Sequence, residues 1–141
     1  MSSDKIKDIA HSPTFVSPEH TIEDVCKIMR EKVVGSVIVG TADEPLGIFS
    51  ERDVIFKVVA SGVDPTTTEV REYMTSPVVT IDADSSISDA KMIFSEKKIR
   101  RLPVAENGVI VGVVSARSVL NNVNFNLIRE KYYHSDQPSR F

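Results

Sequence analysis

The sequence repeats itself, and this internal repeat constrains the fold more than any other feature of the chain. Sliding the 141 residues along themselves by 65 positions aligns Val16–Phe56 with Ile81–Asn121, with ten identities in 41 positions. An offset of 64 aligns the lead-ins to the two copies, Ile6–Pro13 and Val70–Pro77. Self-similarity at a fixed period is typical of a duplicated structural unit. We therefore expect two copies of one fold.

The repeat divides the chain into four regions. We predict a first repeat over residues 6–62, a linker over 63–69, a second repeat over 70–121 and a C-terminal tail over 122–141. In the tail we expect a short helix and a disordered end after His134. Each repeat has a small core and is marginal alone. We therefore expect the copies to pack sheet to sheet with pseudo-twofold symmetry.

The first half of each copy predicts a short extended piece and then a helix. Apolar residues recur at helical spacing after Thr21 and after Ser86. Both residue types are common N-caps, and Asp24 and Asp89 follow three residues later, where a carboxylate suits the positive end of a helix. We interpret these two aspartates as helix-start residues and not as a catalytic pair.

The second half of each copy predicts a hairpin and a second helix. In each copy a β-branched run, a turn and a second apolar run follow one another, a pattern typical of paired strands. The second helix is expected to begin at Ser50 or Ser115. The pattern as a whole predicts a mixed α/β (α+β) fold of tandem β-α-β-β-α repeats. The predicted strands are Ser36–Val39, Leu46–Phe49, Leu102–Ala105 and Val109–Val114.

One short motif occurs in both copies. Gly, two apolar residues, Ser, two further residues and Asp form the run Gly47–Asp53, which recurs as Gly112–Ser118 with Ser in the last place. The flanking segments Thr68–Ile81 and Ile99–Ser115 add to the pattern. Over Ile6–Asn121 the chain resembles a pair of CBS domains, named for cystathionine β-synthase. The resemblance implies two clefts between the repeats for adenosine-containing ligands, a disc-shaped homodimer, and a regulatory role.

Ser50 and Asp53 are candidate nucleotide-binding residues with a structural alternative. A carboxylate can accept hydrogen bonds from two vicinal ribose hydroxyls, and in the family this aspartate holds ribose while the Ser or Thr contacts phosphate. The alternative is a capping box, because Ser-x-x-Asp also stabilises a helix start, by about 1 kcal/mol, without any ligand. The two interpretations stay open at this point.

The second copy of the motif predicts an asymmetry between the two sites. Ser118 stands where Asp53 stands in the first copy. A serine hydroxyl carries no charge and cannot replace a carboxylate that accepts two hydrogen bonds. Ser115 is retained and can still cap the helix or contact phosphate. We therefore expect the Asp53 site to be the better ribose site, and the Ser118 site to be weaker, empty or selective for another ligand.

Arg100 and Arg101 form a second asymmetric feature. In the family, basic residues at this place reach ligand phosphates, and a guanidinium suits phosphate. Their counterparts in the first copy are the neutral Gly35 and Ser36. The alternative is a solvated basic stretch at a helix end, where positive charge is favourable anyway.

The extended piece of each repeat and one strand contain the remaining candidates. In the family these positions line the adenine pocket, but ordinary core packing explains them as well, and for Val16 and Ile81 we favour the core. The candidates are Thr14, Val16, Val79, Thr80, Ile81, Gly35, Ser36, Val37 and Ile38.

Composition excludes several other classes of protein. The net charge of −3 disfavours a surface built for nucleic acid. No apolar run approaches the length of a membrane span, the N-terminus is not a signal peptide, and the single Cys26 excludes an internal disulfide framework. The three histidines are scattered, so no metal site is expected. The simplest compartment is the cytosol.

These features favour a regulatory module over an enzyme. We predict that the chain binds an adenosine nucleotide, AMP, ADP or ATP, requires no cofactor, forms a homodimer and regulates an unknown protein. No activated nucleophile or general base is discernible. The alternative is a ligand-independent dimerisation or partner-docking module. Single-stranded nucleic acid binding through the basic residues at 97, 98, 100 and 101 is disfavoured by the lack of interleaved aromatic residues.

Overall fold

A computed structural model describes residues 4–121 of the chain, which form two compact units. Within those residues, the first unit is Pro13–Val79 and the second unit combines residues 4–12 with residues 80–121. The predicted tail, residues 122–141, lies outside the described residues.

The first unit is a three-stranded sheet with helices. Strand β1 (Phe15–Val16) runs parallel to β2 (Ser36–Gly40), and β2 is antiparallel to β3 (Pro45–Ser50), giving the order β1-β2-β3. Helix α1 (Ile22–Lys32) connects β1 to β2, and helix α2 (Glu51–Asp53) follows β3. The predicted hairpin and first helix are confirmed.

The second unit repeats this arrangement. Strand β4 (Ile81–Asp82) is parallel to β5 (Arg101–Glu106), which pairs antiparallel with β6 (Val109–Ser115). Helix α3 (Ile87–Lys97) lies between β4 and β5 in the chain. Residues 116–121 are helical up to the end of the described range. The predicted mixed α+β repeat is therefore confirmed.

The two long helices begin at the predicted caps. Thr21 Oγ1 accepts a hydrogen bond of 3.1 Å from the Asp24 N–H. Ser86 Oγ accepts one of 3.0 Å from the Asp89 N–H, and Asp89 Oδ2 accepts one of 3.2 Å from the Ser86 N–H. Each bond satisfies a backbone donor that has no partner inside the helix. Asp24 and Asp89 are helix-start residues, as the sequence indicated.

The core of the first unit contains the apolar face of α1 together with the strands. Ile22 and Val25 on α1 and Phe49 on β3 have no exposed surface. Cys26 is half-buried against this core, and burial raises the pKa of its thiol. This residue is a packing residue, as predicted.

Each unit also contains the lead-in of the other repeat. The 3₁₀ turn Ile6–Asp8 precedes the first repeat in the sequence but belongs to the second unit, where Ile6 is fully buried. The 3₁₀ turn Val70–Glu72 precedes the second repeat but belongs to the first unit, where Val70 is fully buried. The two compact units therefore do not coincide with the two sequence repeats.

Each lead-in then pairs with the last strand of the sheet. Thr75 exchanges backbone hydrogen bonds of 2.7 and 2.9 Å with Ile48, and His11 exchanges bonds of 2.9 and 2.8 Å with Val113. The glycine of the sequence motif permits this close approach. A Cβ on Gly47 would lie 2.7 Å from the Met74 Sδ atom and 2.8 Å from the Thr75 carbonyl oxygen. The motif glycine is thus explained by packing.

The second helix of the first unit differs from a regular α-helix. After the short α2, the chain continues as a π-helix over Val54–Val59. The sequence predicts a helix that begins at Ser50, but it does not distinguish this wider turn from an α-helical one. Such turns are frequent at functional sites.

Candidate functional site

Asp53 is the centre of the candidate site. Its exposed fraction is 8%, and within residues 4–121 it is the one buried polar or charged residue. Carboxylates are rarely buried unless they are paired, because a charge loses hydration when it leaves water. The partners of Asp53 therefore determine what this side chain does.

One oxygen of the carboxylate caps the helix. Asp53 Oδ2 accepts hydrogen bonds from the Ser50 N–H at 2.9 Å and from Ser50 Oγ at 3.1 Å. In return, Ser50 Oγ accepts a bond of 3.3 Å from the Asp53 N–H. The capping box that the sequence offered as an alternative is thus formed.

The other oxygen is held by two groups from further along the chain. Asp53 Oδ1 lies 3.1 Å from Lys57 Nζ and accepts a hydrogen bond of 3.2 Å from Thr75 Oγ1. Lys57 Nζ also donates to Thr75 Oγ1 at 3.0 Å and to the Tyr73 carbonyl oxygen at 3.1 Å. We call Ser50, Asp53, Lys57, Tyr73 and Thr75 the Asp53 network.

Two further candidates of the first unit lie next to this network. Ser36 is the strand partner of Ser50 in the β2–β3 hairpin. Gly35 lies beside it, because its carbonyl oxygen accepts a bond of 2.9 Å from the Glu51 N–H. The structure therefore brings Ser36, Ser50 and Asp53 together.

The apolar candidates of the first unit belong largely to its core. Val16, Val37 and Ile38 are buried, and the first two are members of the hydrophobic core cluster. The Thr14 carbonyl oxygen accepts a hydrogen bond of 2.8 Å from the Ile38 N–H, so Thr14 extends the edge of β1. Core packing explains Val16, as the sequence favoured.

The equivalent place in the second unit has a different set of groups. Ser115 and Ser118 are joined through their hydroxyl oxygens, 2.8 Å apart, and Ser115 Oγ accepts a bond of 3.0 Å from the Ser118 N–H. His11 Nε2 lies 3.2 Å from Ser118 Oγ. His11 occupies here the position that Thr75 occupies in the first unit. This cluster contains no carboxylate, in agreement with the asymmetry of the motif.

The basic candidates lie beside that second cluster. Arg101 is the strand partner of Ser115, and the Arg100 carbonyl oxygen accepts a bond of 2.9 Å from the Ala116 N–H. Among the candidates at the start of this unit, Ile81 is buried and Thr80 is exposed. The second unit thus places Arg100, Arg101, Ser115 and Ser118 in one neighbourhood.

Comparison with known families identifies the repeat. A model of the CBS domain matches the chain twice, over residues 6–60 and 70–124. The chain belongs to the CBS-domain family. The resemblance carried by the duplicated motif is confirmed.

One relative and two solved structures show how far the similarity extends. The protein MK0525 of Methanopyrus kandleri is 37% identical over 123 residues, which are 85% of this chain and 63% of that protein. A protein with CBS domains from Burkholderia ambifaria has a TM-score of 0.79 at 24% identity, over 94% of this chain and 99% of that one. A CBS-domain protein from Pyrobaculum aerophilum, solved in complex with AMP, has a TM-score of 0.74 at 24% identity, over 81% of this chain and 88% of that one.

Three residues of these two clusters were not predicted from the sequence. Lys57 lies four positions after Asp53, a spacing that puts two side chains on one helix face and could have indicated the ion pair. Thr75 and His11 are aligned at the offset of 64 residues. Their roles depend on contacts with distant segments, for which the sequence gives no signal.

Two other features are absent from the described residues. Within residues 4–121, no three His, Cys, Asp or Glu side chains are placed so that they could hold a metal ion. Over the same residues, no helix is long and apolar enough to cross a membrane.

Proposed function

We propose that this CBS-domain chain binds an adenosine nucleotide, AMP, ADP or ATP, at the Asp53 site and thereby acts as a regulatory sensor. The observation that carries the proposal is a buried carboxylate at the end of the Gly47–Asp53 motif. A ribose presents two adjacent hydroxyl donors, and a carboxylate can accept both. Asp53 keeps one oxygen for the helix cap, so the ribose would use Oδ1.

A protein of the same fold supports this ligand class. The Pyrobaculum aerophilum structure contains AMP. At 24% identity that likeness speaks for the fold, and the assignment to this chain depends on its own residues. Asp53 would accept from the ribose, and Ser50, Ser36 and Thr14 would line the site beside it. The second unit, with Arg100, Arg101, Thr80 and Ile81 around Ser115 and Ser118, would bind such a ligand less well.

Calorimetric titration tests this proposal. Purified protein is titrated with AMP, ADP, ATP, NAD and S-adenosylmethionine, and the Asp53→Ala variant is titrated in parallel. We expect at least one adenosine nucleotide to bind, with an affinity loss in the variant of ten-fold or more, since a hydrogen bond to a charged group contributes about 1.5–3 kcal/mol. Binding by none of the five, or equal binding by the variant, would refute the proposal.

We further propose that the chain forms a homodimer through the π-helix Val54–Val59. Ile55, Phe56 and Val59 have exposed fractions of 57, 59 and 70%. Apolar side chains grouped on one exposed helix turn are typical of an interface.

Light scattering after size exclusion tests this interface. Phe56→Glu is expected to give a monomer, whereas Met92→Glu, at an equally exposed residue of α3, retains the dimer. A dimeric Phe56→Glu variant would refute this interface.

A regulatory module without catalysis of its own fits these features, and the reducing cytosol is the compartment we propose for it. A ligand would act by favouring one of two forms of the protein, because it stabilises the form that it binds better. The regulated partner would then recognise that form.

A further inference from the structure

The Asp53 carboxylate has a donor inside the chain for each of its lone-pair positions. A carboxylate offers about four lone-pair positions on its two oxygens. Asp53 receives the Ser50 N–H, Ser50 Oγ, Thr75 Oγ1 and Lys57 Nζ, all between 2.9 and 3.2 Å. Any ribose hydroxyl that binds Asp53 must therefore displace one of these donors.

The two donors on Oδ1 are the ones that a ligand can replace. The donors on Oδ2 come from Ser50 and form the helix cap, which cannot be given up without breaking the helix start. Oδ1 is bound instead by side-chain groups of Lys57 and Thr75. The Lys57 side chain has an exposed fraction of 39%, so its ammonium group can leave Asp53 and be hydrated by water.

We propose that Lys57 is the affinity-determining residue of this site, an internal competitor that holds Asp53 Oδ1 until a ribose displaces it. This inference rests on the proposed function. The ammonium group uses all three of its donors within the network, on Asp53, Thr75 and the Tyr73 carbonyl oxygen. A ribose that takes the place of Lys57 on Oδ1 therefore breaks this three-point binding.

The competition also connects the site to the lead-in of the second repeat. Tyr73 and Thr75 belong to that lead-in, and Lys57 binds both. When a ribose displaces Lys57, the Tyr73 carbonyl oxygen loses a charged donor. The backbone bonds between Thr75 and Ile48 remain. Occupancy of the site thus changes how firmly the lead-in is held, with Lys57 as the link.

The test uses Lys57→Met and a ligand without charge. Adenosine is titrated instead of a nucleotide, so that the loss of a positive charge does not affect attraction to phosphate. 2′,3′-Dideoxyadenosine, which lacks the diol, is titrated alongside it. The matched control is Lys27→Met, because Lys27 forms an exposed ion pair with Glu23 at the same four-residue spacing on α1.

Lys57→Met is expected to bind adenosine about ten-fold more tightly than the wild-type chain, the effect of releasing one charged hydrogen bond. Its binding of dideoxyadenosine, and all binding by Lys27→Met, is expected to stay unchanged. Equal or weaker adenosine binding by Lys57→Met would overturn the inference, and so would equal gains for both ligands. Tight AMP binding by the wild-type chain in that case leaves the proposed function intact.

A second variant covers the case in which Lys57→Met does not fold. Thr75→Val removes the other donor to Oδ1 but keeps the backbone pairing with Ile48. Like Lys57→Met, it is expected to bind adenosine more tightly than the wild-type chain, by a few-fold, and to bind dideoxyadenosine equally well. Unchanged adenosine binding by this variant would also overturn the inference.

Discussion

Asp53 stays buried because hydrogen bonds inside the chain replace those that its carboxylate would make with water. Removing one partner from such a network is costly, since the remaining groups keep their desolvation penalty. Asp89 is a useful comparison, because it occupies the same capping position in α3 but is exposed. The two aspartates separate the capping role from the role of the wider network.

At the residue scale, we predict that Asp53→Asn lowers the free energy of unfolding by about 1–3 kcal/mol. The amide nitrogen cannot accept a hydrogen bond, so either the cap or Lys57 loses its acceptor. Chemical denaturation monitored by circular dichroism measures the loss. Asp89→Asn is the control and is expected to cost less than about 1 kcal/mol. Equal losses in the two variants would show that only the cap contributes at Asp53.

The sequence singled out two residues of the Asp53 network but not the contacts that they make. The duplicated motif was sufficient to single out Ser50 and Asp53. Lys57 and Thr75 complete the network but belong to a helix and a lead-in whose positions depend on tertiary packing. Periodicity reports which face of an element is apolar, whereas it carries no information on which distant segment lies beside a given carboxylate.

At the scale of elements, the lead-ins distinguish the folded units from the sequence repeats. Strands, helices and caps were predicted closely because each depends on local spacing and on the residue at the helix start. The placement of Ile6 and Val70 in the unit of the other repeat was not predicted. Gly47 and Gly112 are the sequence features that reflect this arrangement. At each position a lead-in lies so close that a Cβ atom would collide with it.

Val33, the residue that follows helix α1, adopts a backbone conformation that valine does not favour. Val33 has φ of 54°, in the left-handed region, where a β-branched side chain is strained. Its exposed fraction is 62%, so little burial is lost on truncation. We predict that Val33→Gly raises the free energy of unfolding by about 0.5–1 kcal/mol.

Thermal or chemical denaturation measures this gain. Lys98→Gly is the matched control, because Lys98 ends α3 with φ of 55° but is not β-branched. The gain at Lys98 is expected to be smaller. A lower stability of Val33→Gly would show that the side chain contributes more by packing than it costs in backbone strain.

An ion pair joins the lead-in of the first repeat to Asp84, and its contribution to the free energy of unfolding depends on pH. Lys7 Nζ lies 3.0 Å from Asp84 Oδ1. The hydrogen bond and the charge of Lys7 lower the pKa of Asp84 from its ordinary value of 3.8. A lowered carboxyl pKa stabilises the fold above that ordinary value, and the contribution is lost as pH falls through the pKa of the folded state.

We therefore predict that the stability difference between wild-type protein and Asp84→Asn is present at pH 7 and disappears at pH below about 3. Because both side chains are exposed, the difference is small and decreases further in about 1 M salt. Denaturation midpoints measured from pH 2 to 7 at low and high salt check this. A difference that persists at pH 2 would contradict the assignment to this ion pair.

At the scale of the whole molecule, duplication has produced two units that share a fold but differ in their chemistry. The Asp53 network has a carboxylate and an ammonium group, whereas Ser115, Ser118 and His11 offer hydroxyls and an imidazole. Among the described residues, the motif therefore ends in a carboxylate in the first unit only.

This difference predicts one nucleotide per chain. Titration of the wild-type protein with its preferred adenosine nucleotide is expected to saturate near one equivalent. Ser118→Asp, which gives the second motif its missing carboxylate, is expected to add a weaker second site. Two equivalent sites in the wild-type protein would contradict the asymmetry.

We propose that Asp53 binds the hydroxyls of a ribose, and a double-mutant cycle between protein and ligand measures the energy of that contact. AMP and its 2′,3′-dideoxy analogue are titrated into wild-type protein and into Asp53→Ala by calorimetry. We predict that the wild-type protein prefers AMP by ten-fold or more and that this preference disappears in the variant. The same preference for AMP in both proteins would contradict the claim, because the hydroxyls would then be recognised elsewhere.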